Sequence, residues 1–305
     1  MYSNSAYRQE NSPFIQLLYV FMLAILGLIV FAVIGFLVIY LFYGFAGFKG
    51  AISGDLKYTG AFKILLTSQQ LGLFLSPALF LGIVEGRKPH QFYGLKIPKG
   101  NLLLLVAILS VCWMPIMGLV NELNQKMVFP DFLKGLEAWM RAMEDEGAKT
   151  TEAILKMKTI TDLLVNLLVI AIVPAICEEF IFRGAIQRTL FRMIDNPHVA
   201  IWTAAIIFST IHFQFYGFVP RMLLGAAFGY VYFWTGSLWY AIFAHFLNNA
   251  YAVFVAFYLQ VNNLSYTKAD DIQMPWYGYL ISVILTLALF KLLKDRTENK
   301  LESTP

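Results

Sequence analysis

The sequence predicts an all-α, polytopic membrane protein, a helix bundle of about eight transmembrane helices with both termini in the cytoplasm. The first observation is composition, because 59% of the 305 residues are hydrophobic and only 14% are charged, outside the range of soluble proteins. The second is the apolar stretch 14–43, which lacks Asp, Glu, Lys, Arg and His and is longer than a buried core helix needs. Lipid tolerates only helices or closed barrels, and apolar stretches this long form helices.

Apolar windows of about twenty residues mark the individual spans. They are 14–43, 64–84, 102–120, 163–180, 199–213, 218–234, 238–259 and 276–290. Thr235, Gly236 and Ser237 separate the sixth span from the seventh with a turn signal. The fifth and sixth spans are short enough for a tilted or partly re-entrant course.

Lysine and arginine residues predict the orientation. They concentrate in the connections that follow the second, fourth and eighth spans: Arg87, Lys88, Lys96, Lys99, Arg183, Arg188, Arg192, Lys291, Lys294, Arg296 and Lys300. Eight alternating spans place these connections on one side, which the positive-inside rule assigns to the cytoplasm. We therefore expect a multi-pass protein of the cell membrane whose first span is retained and not cleaved as a signal peptide. The modest net charge of +4 gives no indication of a nucleic-acid partner.

The connection 121–158 is predicted to lie outside and shows no excess of basic residues. Apolar residues at helical spacing near 131–147, among them Trp139 and Met140, lie opposite charged ones such as Glu137 and Arg141. This pattern predicts an amphipathic helix at the membrane interface. The simpler interpretation is a surface helix packed on the bundle, and the alternative is a lid that guides substrate.

Ionisable residues inside the predicted spans are few and clustered. A charge at the bilayer centre costs roughly 3 kcal/mol on translocon scales, so such residues are functional candidates. Glu178, Glu179 and Arg183 are predicted to end the fourth span, His212 lies in the fifth and His245 in the seventh. We expect all of them at one depth, near the cytoplasmic side.

Helical spacing separates the roles of the two glutamates. Glu179 and Arg183 are four residues apart, so they share a helix face and can form a charge-assisted pair of mainly architectural importance. Glu178 is turned about 100° from Glu179, which leaves it available for chemistry. Pro174 precedes Glu178 by four residues and is expected to kink the span.

The remaining polar residues come in pairs with the same spacing. Phe208 and His212 are four apart, as are His245 and Asn249, so each pair shares a helix face. If the fourth, fifth and seventh spans meet, Glu178 joins both histidines and Asn249 in one pocket. Hydrolysis needs such a set, a base to activate water and a polar donor for the oxyanion. Taken singly, the histidines and Asn249 are more often helix-to-helix bonding partners, and Phe208 is a packing residue.

At these residues the chain resembles the CPBP family, the type II CAAX prenyl endopeptidases and bacteriocin-processing or self-immunity membrane proteins, also called the Abi family. The family's three motifs are EExxxR, FxxxH and HxxxN, present here in order as Glu178-Glu179 with Arg183, Phe208 with His212, and His245 with Asn249. The resemblance covers about 163–251. It implies an intramembrane endopeptidase in which Glu178 and His212 activate water, while His245 and Asn249 complete the site, Asn249 as an oxyanion donor.

Metal dependence stays open, because the family is described both as metalloproteases and as metal-independent, glutamate-dependent proteases. The sequence has no HExxH. Glu178, His212 and His245 would form a His₂Glu zinc set with an open fourth position. Zinc is therefore one prediction, and direct general-base catalysis by Glu178 is the alternative.

Three regions follow from the resemblance: 1–160 with the N-terminal membrane helices, 161–260 as the catalytic core, and 261–305 with the last membrane helix and a cytoplasmic tail. The expected partners are the lipid bilayer and a substrate that is a peptide or membrane-protein segment, while the oligomeric state is not predicted. A non-catalytic binding or immunity protein on the same scaffold is the alternative, although it has no need to retain Glu178, His212, His245 and Asn249. A transporter or proton relay is the third reading, since it too uses buried Glu and His.

Overall fold

The computed structural model describes residues 9–264 and 274–302, and every regular element there is helical, which confirms the all-α prediction. We label the helices α1 (Pro13–Ser53), α2 (Thr59–Val84), α3 (Pro89–Phe92), α4 (Gly100–Gln125), α5 (Lys134–Ile154), α6 (Ile160–Ile194), α7 (Pro197–Thr210), α8 (Phe218–Thr235), α9 (Leu238–Val261) and α10 (Trp276–Glu302). Part of the predicted tail and of the connection before α10 lies outside the described residues.

Six of these helices, α1, α2, α4, α6, α9 and α10, are long and apolar enough to cross a membrane. They confirm the multi-pass membrane location. The predicted fifth and sixth spans correspond to α7, a shorter apolar helix, and to α8, and neither is among the six. The count of about eight spans and the orientation of both termini therefore stay predictions.

Helix α6 corrects the predicted end of the fourth span. It begins at a capping box in which Thr159 and Asp162 bond each other's backbone, and it continues to Ile194. Glu178 and Glu179 thus lie near its middle and not at its end. Their charges do not stop the helix, because Glu179 is paired with Arg183 inside the bundle.

Wider π-helical turns interrupt two of the membrane helices. In α6 they span Leu167–Ile172 and Phe180–Gln187, on either side of Glu178, and in α2 they span Gln70–Leu75. Such turns are often found at functional sites. The α2 segment packs against both α1 and α6, and a side chain at Gly27 of α1 would lie 2.1 Å from the carbonyl oxygen of Gly72. Glycine is therefore needed for this close approach of the two helices.

The helices of the predicted fifth and seventh spans both contact the helix of the fourth span. Helix α9 packs against the first two thirds of α6, and α7 packs against its second π-helical segment and against α8. Helices α4 and α10 cover one side of this group, with Trp113, Phe228 and Tyr240 in a shared core. Helices α1 and α2 cover the other side.

The amphipathic helix predicted near 131–147 is α5. Met140 is buried, whereas Trp139 is partly exposed and packs against Phe215 with tilted rings whose centroids are 5.4 Å apart. The Arg141 guanidinium lies 4.4 Å from the ring centre of Tyr216, and Glu144 accepts a hydrogen bond from the Tyr216 backbone. Helix α5 therefore packs on the turn that follows α7.

Candidate active site

His245 is placed between the two glutamates of α6. Its Nδ1 is 2.8 Å from Glu179 Oε1, within hydrogen-bond distance, and its Nε2 is 3.8 Å from Glu178 Oε2. Glu178 is 6% exposed, Glu179 0% and His245 4%. Glu178 and Glu179, adjacent in α6, therefore lie near the two ring nitrogens of His245 in a buried environment.

The Glu179–Arg183 ion pair expected from the spacing is present, with Arg183 Nη1 2.9 Å from Glu179 Oε1. Arg183 Nη2 also donates to the backbone oxygen of Gly225 in α8, 2.8 Å away. Both side chains are fully buried. Removal of either partner would leave an uncompensated charge inside the bundle, which is strongly destabilising. The mainly architectural role predicted for the pair stays a prediction.

Aromatic rings fix the orientation of the imidazoles. Phe228 of α8 stacks on His245 with centroids 4.9 Å apart and planes 13° from parallel. Phe208 makes edge contacts with both His212 and His245, at 5.0 and 6.1 Å, and the Arg183 guanidinium lies 4.8 Å from its centre. Phe208 thus contacts three polar site residues, while Phe228 was not predicted from the sequence.

His212 does not lie within a helix as predicted. Helix α7 ends at Thr210, and His212 occupies the turn that follows. Its Nδ1 still bonds the Phe208 carbonyl oxygen at 2.7 Å, so Nδ1 carries a hydrogen and Nε2 is left as the free ring nitrogen. The Phe208 ring contacts the imidazoles of both His212 and His245. The turn therefore keeps His212 beside the site that the helical spacing predicted.

Gln70 is a site residue that the sequence analysis missed. Its Nε2 donates to Glu178 Oε1 at 2.8 Å from the π-helical segment of α2. Gln70 Oε1 is buried and has no hydrogen-bond partner among the described residues. The available signal was an amide inside the apolar stretch 64–84, since polar side chains at membrane depth bond across helices.

Asn249 bonds the backbone and not the other candidate residues. Its Nδ2 donates to the Ile170 carbonyl oxygen at 3.2 Å. Ile170 is four residues before Pro174. In a regular α-helix the Ile170 carbonyl would accept from the N–H of residue 174, and Pro174 has no N–H. Asn249 supplies a donor to this carbonyl. Its role as oxyanion donor stays a prediction.

The positions of Glu178, His212 and His245 can be compared with the zinc prediction. Glu178 Oε2 and His245 Nε2 are 3.8 Å apart, compatible with two ligands of one ion, and His212 Nε2 is not engaged by the Phe208 carbonyl. In residues 9–264 and 274–302, however, no three His, Cys, Asp or Glu side chains are arranged to hold a metal ion. Zinc coordination by Glu178, His212 and His245 therefore stays a prediction.

Comparison with known proteins agrees with the motif resemblance. Residues 160–251 match the sequence profile of the family described as type II CAAX prenyl endopeptidase Rce1-like. The matched segment contains α6 through most of α9, and with it all seven residues of the three motifs. The match supports a membrane protease of the CAAX type in general terms.

One curated protein is also similar to this segment. The uncharacterised protein YpbD of Bacillus subtilis strain 168 is 29% identical over 89 residues, which cover 28% of this chain and 42% of that protein. The chain thus matches less than half the length of this relative. No solved structure matches the chain.

Proposed function

We propose that this protein is an intramembrane endopeptidase that hydrolyses a peptide bond of a peptide or membrane-associated protein with a water activated by Glu178. The observation that carries the proposal is the placement of His245, with Glu179 at its Nδ1 and Glu178 facing its Nε2, all three buried. Buried carboxylates and an imidazole at such distances are the groups that general acid–base catalysis uses.

Glu179 determines which imidazole nitrogen carries the hydrogen. Because Nδ1 donates to Glu179, the neutral ring presents an unprotonated Nε2 toward Glu178. The 3.8 Å between Nε2 and Glu178 Oε2 is too long for a direct hydrogen bond. A single water can donate one hydrogen to each of these two acceptors, which directs its oxygen lone pair to a substrate carbonyl.

The hydrolysis then follows general base catalysis. Glu178 takes a proton from the water while the water oxygen bonds to the carbonyl carbon of the substrate. This step forms the tetrahedral intermediate. The same proton passes to the leaving nitrogen as the carbon–nitrogen bond breaks, which regenerates the carboxylate. Gln70 keeps Glu178 in position through its bond to Oε1. His212, with its Nε2 free of the Phe208 carbonyl, is a second group for proton transfer at the same pocket.

Metal dependence is the finer alternative within the same function. If Glu178, His212 and His245 rearranged to hold zinc, the ion would supply activation of the bound water. Glu179 would then orient His245 as a ligand, in the way that carboxylates hold zinc-bound histidines.

The test is cleavage of a quenched fluorescent peptide library by the purified, detergent-solubilised protein. Wild type is compared with Glu178→Gln, with His245→Ala and with Glu85→Gln, a matched control because Glu85 is also a buried glutamate and is outside the site. We expect cleavage by wild type and the control only. A strong zinc chelator, followed by zinc, separates the two mechanisms.

Each outcome has a defined meaning. Activity that survives the chelator supports the Glu178 mechanism, and activity that is lost and then restored by zinc supports the metal-dependent one. Equal cleavage by wild type, Glu178→Gln and His245→Ala would show that the site is wrong. The non-catalytic binding protein would then become the leading interpretation.

A further inference from the structure

A cavity of about 390 Å³ lies outside the candidate active site, at the C-terminal end of α6. It is formed by that end of α6, the connection between α2 and α4, the start of α7 and the end of α8, and no motif residue lines it. Its volume falls within the range of small-molecule sites. The charge distribution of the sequence predicts that this end of α6 is cytoplasmic.

Three cationic side chains, Arg87, Lys96 and Arg188, line this cavity, together with the neutral polar side chains of Gln91, Gln187 and Tyr232. Arg87, Arg188 and Arg192 pair with one carboxylate, that of Glu10, at 3.2, 2.7 and 3.0 Å. Lys96 is exposed and forms no ion pair in the described part of the chain. Arg188 and Arg192 share the single Glu10 carboxylate, and Lys96 lies beside them, so positive charge is in excess at this side of the cavity.

Arg188 is held in place by Phe92 and Glu10, and one of its guanidinium nitrogens lacks a hydrogen-bond acceptor in the described part of the chain. Its guanidinium lies 4.1 Å from the ring centre of Phe92, while Nη2 donates to both oxygens of Glu10. Its Nη1 is buried and has no hydrogen-bond partner among residues 9–264 and 274–302. An unsatisfied buried donor is costly, and a rigid guanidinium is well suited to phosphate oxygens.

The other wall of the cavity is apolar and faces outward. Phe191 and Phe233 line it and are 39% and 41% exposed, and the neighbouring Ile97 is 91% exposed. In a membrane protein, apolar side chains that remain exposed are those that contact lipid. The cavity therefore combines cationic side chains with an exposed apolar wall.

We propose that this cavity binds the phosphate head group of an anionic phospholipid, with the acyl chains along Phe191 and Phe233. Arg188 Nη1 and Lys96 would donate to the phosphate oxygens, while Arg87 adds charge. Basic pockets between transmembrane helices are a known mode of lipid head-group recognition. A free phosphate has the same charged chemistry and lacks only the apolar part. The site is independent of the proposed peptidase activity.

The experiment measures lipid binding to the full-length protein in detergent by native mass spectrometry and by the shift in Tm. The ligands are phosphatidylglycerol, phosphatidylcholine and inorganic phosphate. Lys96→Gln removes an exposed charge with little risk to folding, Arg188→Gln removes the buried donor, and Phe233→Gln changes the apolar wall. Lys291→Gln, an exposed lysine of α10 outside the cavity, is the matched control.

Of the three ligands, we expect only phosphatidylglycerol to bind tightly. Its apparent Kd should rise about five-fold in Lys96→Gln and further in Arg188→Gln, and should be unchanged in Lys291→Gln. Phe233→Gln should also weaken binding. Equal binding of phosphatidylglycerol and phosphatidylcholine, or equal Kd values for Lys96→Gln and Lys291→Gln, would overturn the proposal. Equal affinity for inorganic phosphate, unaffected by Phe233→Gln, would overturn the lipid as the source of the phosphate.

Discussion

At the scale of single residues, the adjacent glutamates have different partners because a helix turns about 100° per residue. Glu179 bonds His245 Nδ1 and Arg183, so its charge is already compensated. Among residues 9–264 and 274–302, Glu178 has the Gln70 amide at hydrogen-bond distance, and His245 Nε2 lies further away at 3.8 Å. The less compensated carboxylate is the one suited to accept a proton.

The first prediction concerns Glu179 as a positioning residue. Glu179→Gln should lower kcat by roughly 10²-fold or more with KM little changed, because the carboxylate that fixes the His245 tautomer is lost; the comparable loss in a serine protease triad is about 10⁴-fold. Glu179→Asp, which retains the charge, should recover part of the activity. Rates and Tm are measured together for both variants.

The outcome for Tm separates positioning from folding. Glu179→Gln leaves Arg183 buried beside a neutral partner, so some loss of Tm is expected as well. If Glu179→Gln remained folded and cleaved peptides at the wild-type rate, Glu179 would have no part in orienting His245.

The second prediction concerns Gln70. Gln70→Leu should lower kcat about ten-fold, because a hydrogen bond to a charged group contributes about 1.5–3 kcal/mol and here it positions the base. Gln69→Leu is a close control, since Gln69 is its neighbour in sequence and is exposed. Steady-state kinetics on one cleaved peptide gives kcat for both variants. Similar rates for the two variants would argue that the Gln70–Glu178 bond has no catalytic importance.

At the scale of elements, the irregular turns of α6 determine how α9 is attached. The π-helical segment Leu167–Ile172 ends two residues before Pro174, and the Ile170 carbonyl oxygen there accepts from Asn249 of α9. Helix α9 also carries His245, one turn before Asn249. The Asn249–Ile170 hydrogen bond therefore fixes the position of His245 along the axis of α9 relative to Glu178 and Glu179.

The third prediction tests this attachment with a double-mutant cycle. Asn249→Leu should destabilise the protein by about 1–3 kcal/mol, because the Ile170 carbonyl oxygen loses the hydrogen bond from Asn249 Nδ2. Pro174→Ala restores a backbone N–H for that carbonyl, so Asn249→Leu should cost less in a Pro174→Ala background. The measurement is Tm for the four proteins of the cycle. Additive effects would contradict the attachment.

Activity in the same cycle distinguishes attachment from catalysis. If Asn249 donates to the oxyanion, Pro174→Ala cannot restore cleavage to the Asn249→Leu variant. Recovery of both Tm and cleavage would instead assign Asn249 to positioning. Asn262→Leu, at an exposed asparagine that follows α9 and lies outside the site, should change neither quantity greatly.

Sequence reasoning succeeded where a local pattern determines the contact. Long apolar stretches predicted the membrane helices, and the four-residue spacing predicted the Glu179–Arg183 pair. It failed where tertiary contacts decide. The end of α6 was placed too early because charged residues were taken as the membrane boundary, and Gln70 was missed because its partner is 108 residues away. The turn at His212 breaks the helical pattern that predicted it.

At the scale of the whole molecule, the N-terminal part is joined to the segment that matches the family. Glu10 pairs with Arg188 and Arg192 of α6 and with Arg87 between α2 and α3, while Asn11 bonds Glu85. Gln70 links the same two regions beside Glu178. Residues 160–251 therefore do not form the candidate site alone.

The last prediction is a pH dependence of stability caused by Glu10. Burial raises the pKa of Glu10, but the Arg188 hydrogen bond and the charges of Arg188, Arg192 and Arg87 outweigh it, so the pKa lies below its ordinary 4.5. A group with a lowered pKa in the folded state stabilises the fold above its ordinary pKa, and this contribution is lost as the pH falls through the folded value. The Tm of wild type should therefore decrease as the pH is lowered from neutral to below about 4.5.

Glu10→Gln should lower Tm at pH 7 and flatten this acid-side decrease, because the neutral amide cannot pair with three arginines and does not titrate. Glu152→Gln, at an exposed glutamate of α5 for which no ion pair occurs in the described residues, should follow the wild-type curve. Thermal unfolding of the three proteins in one detergent across the acid range measures the difference. Parallel curves for Glu10→Gln and wild type would mean that other carboxylates cause the acid sensitivity and that the N-terminal contact adds little to the stability of the bundle.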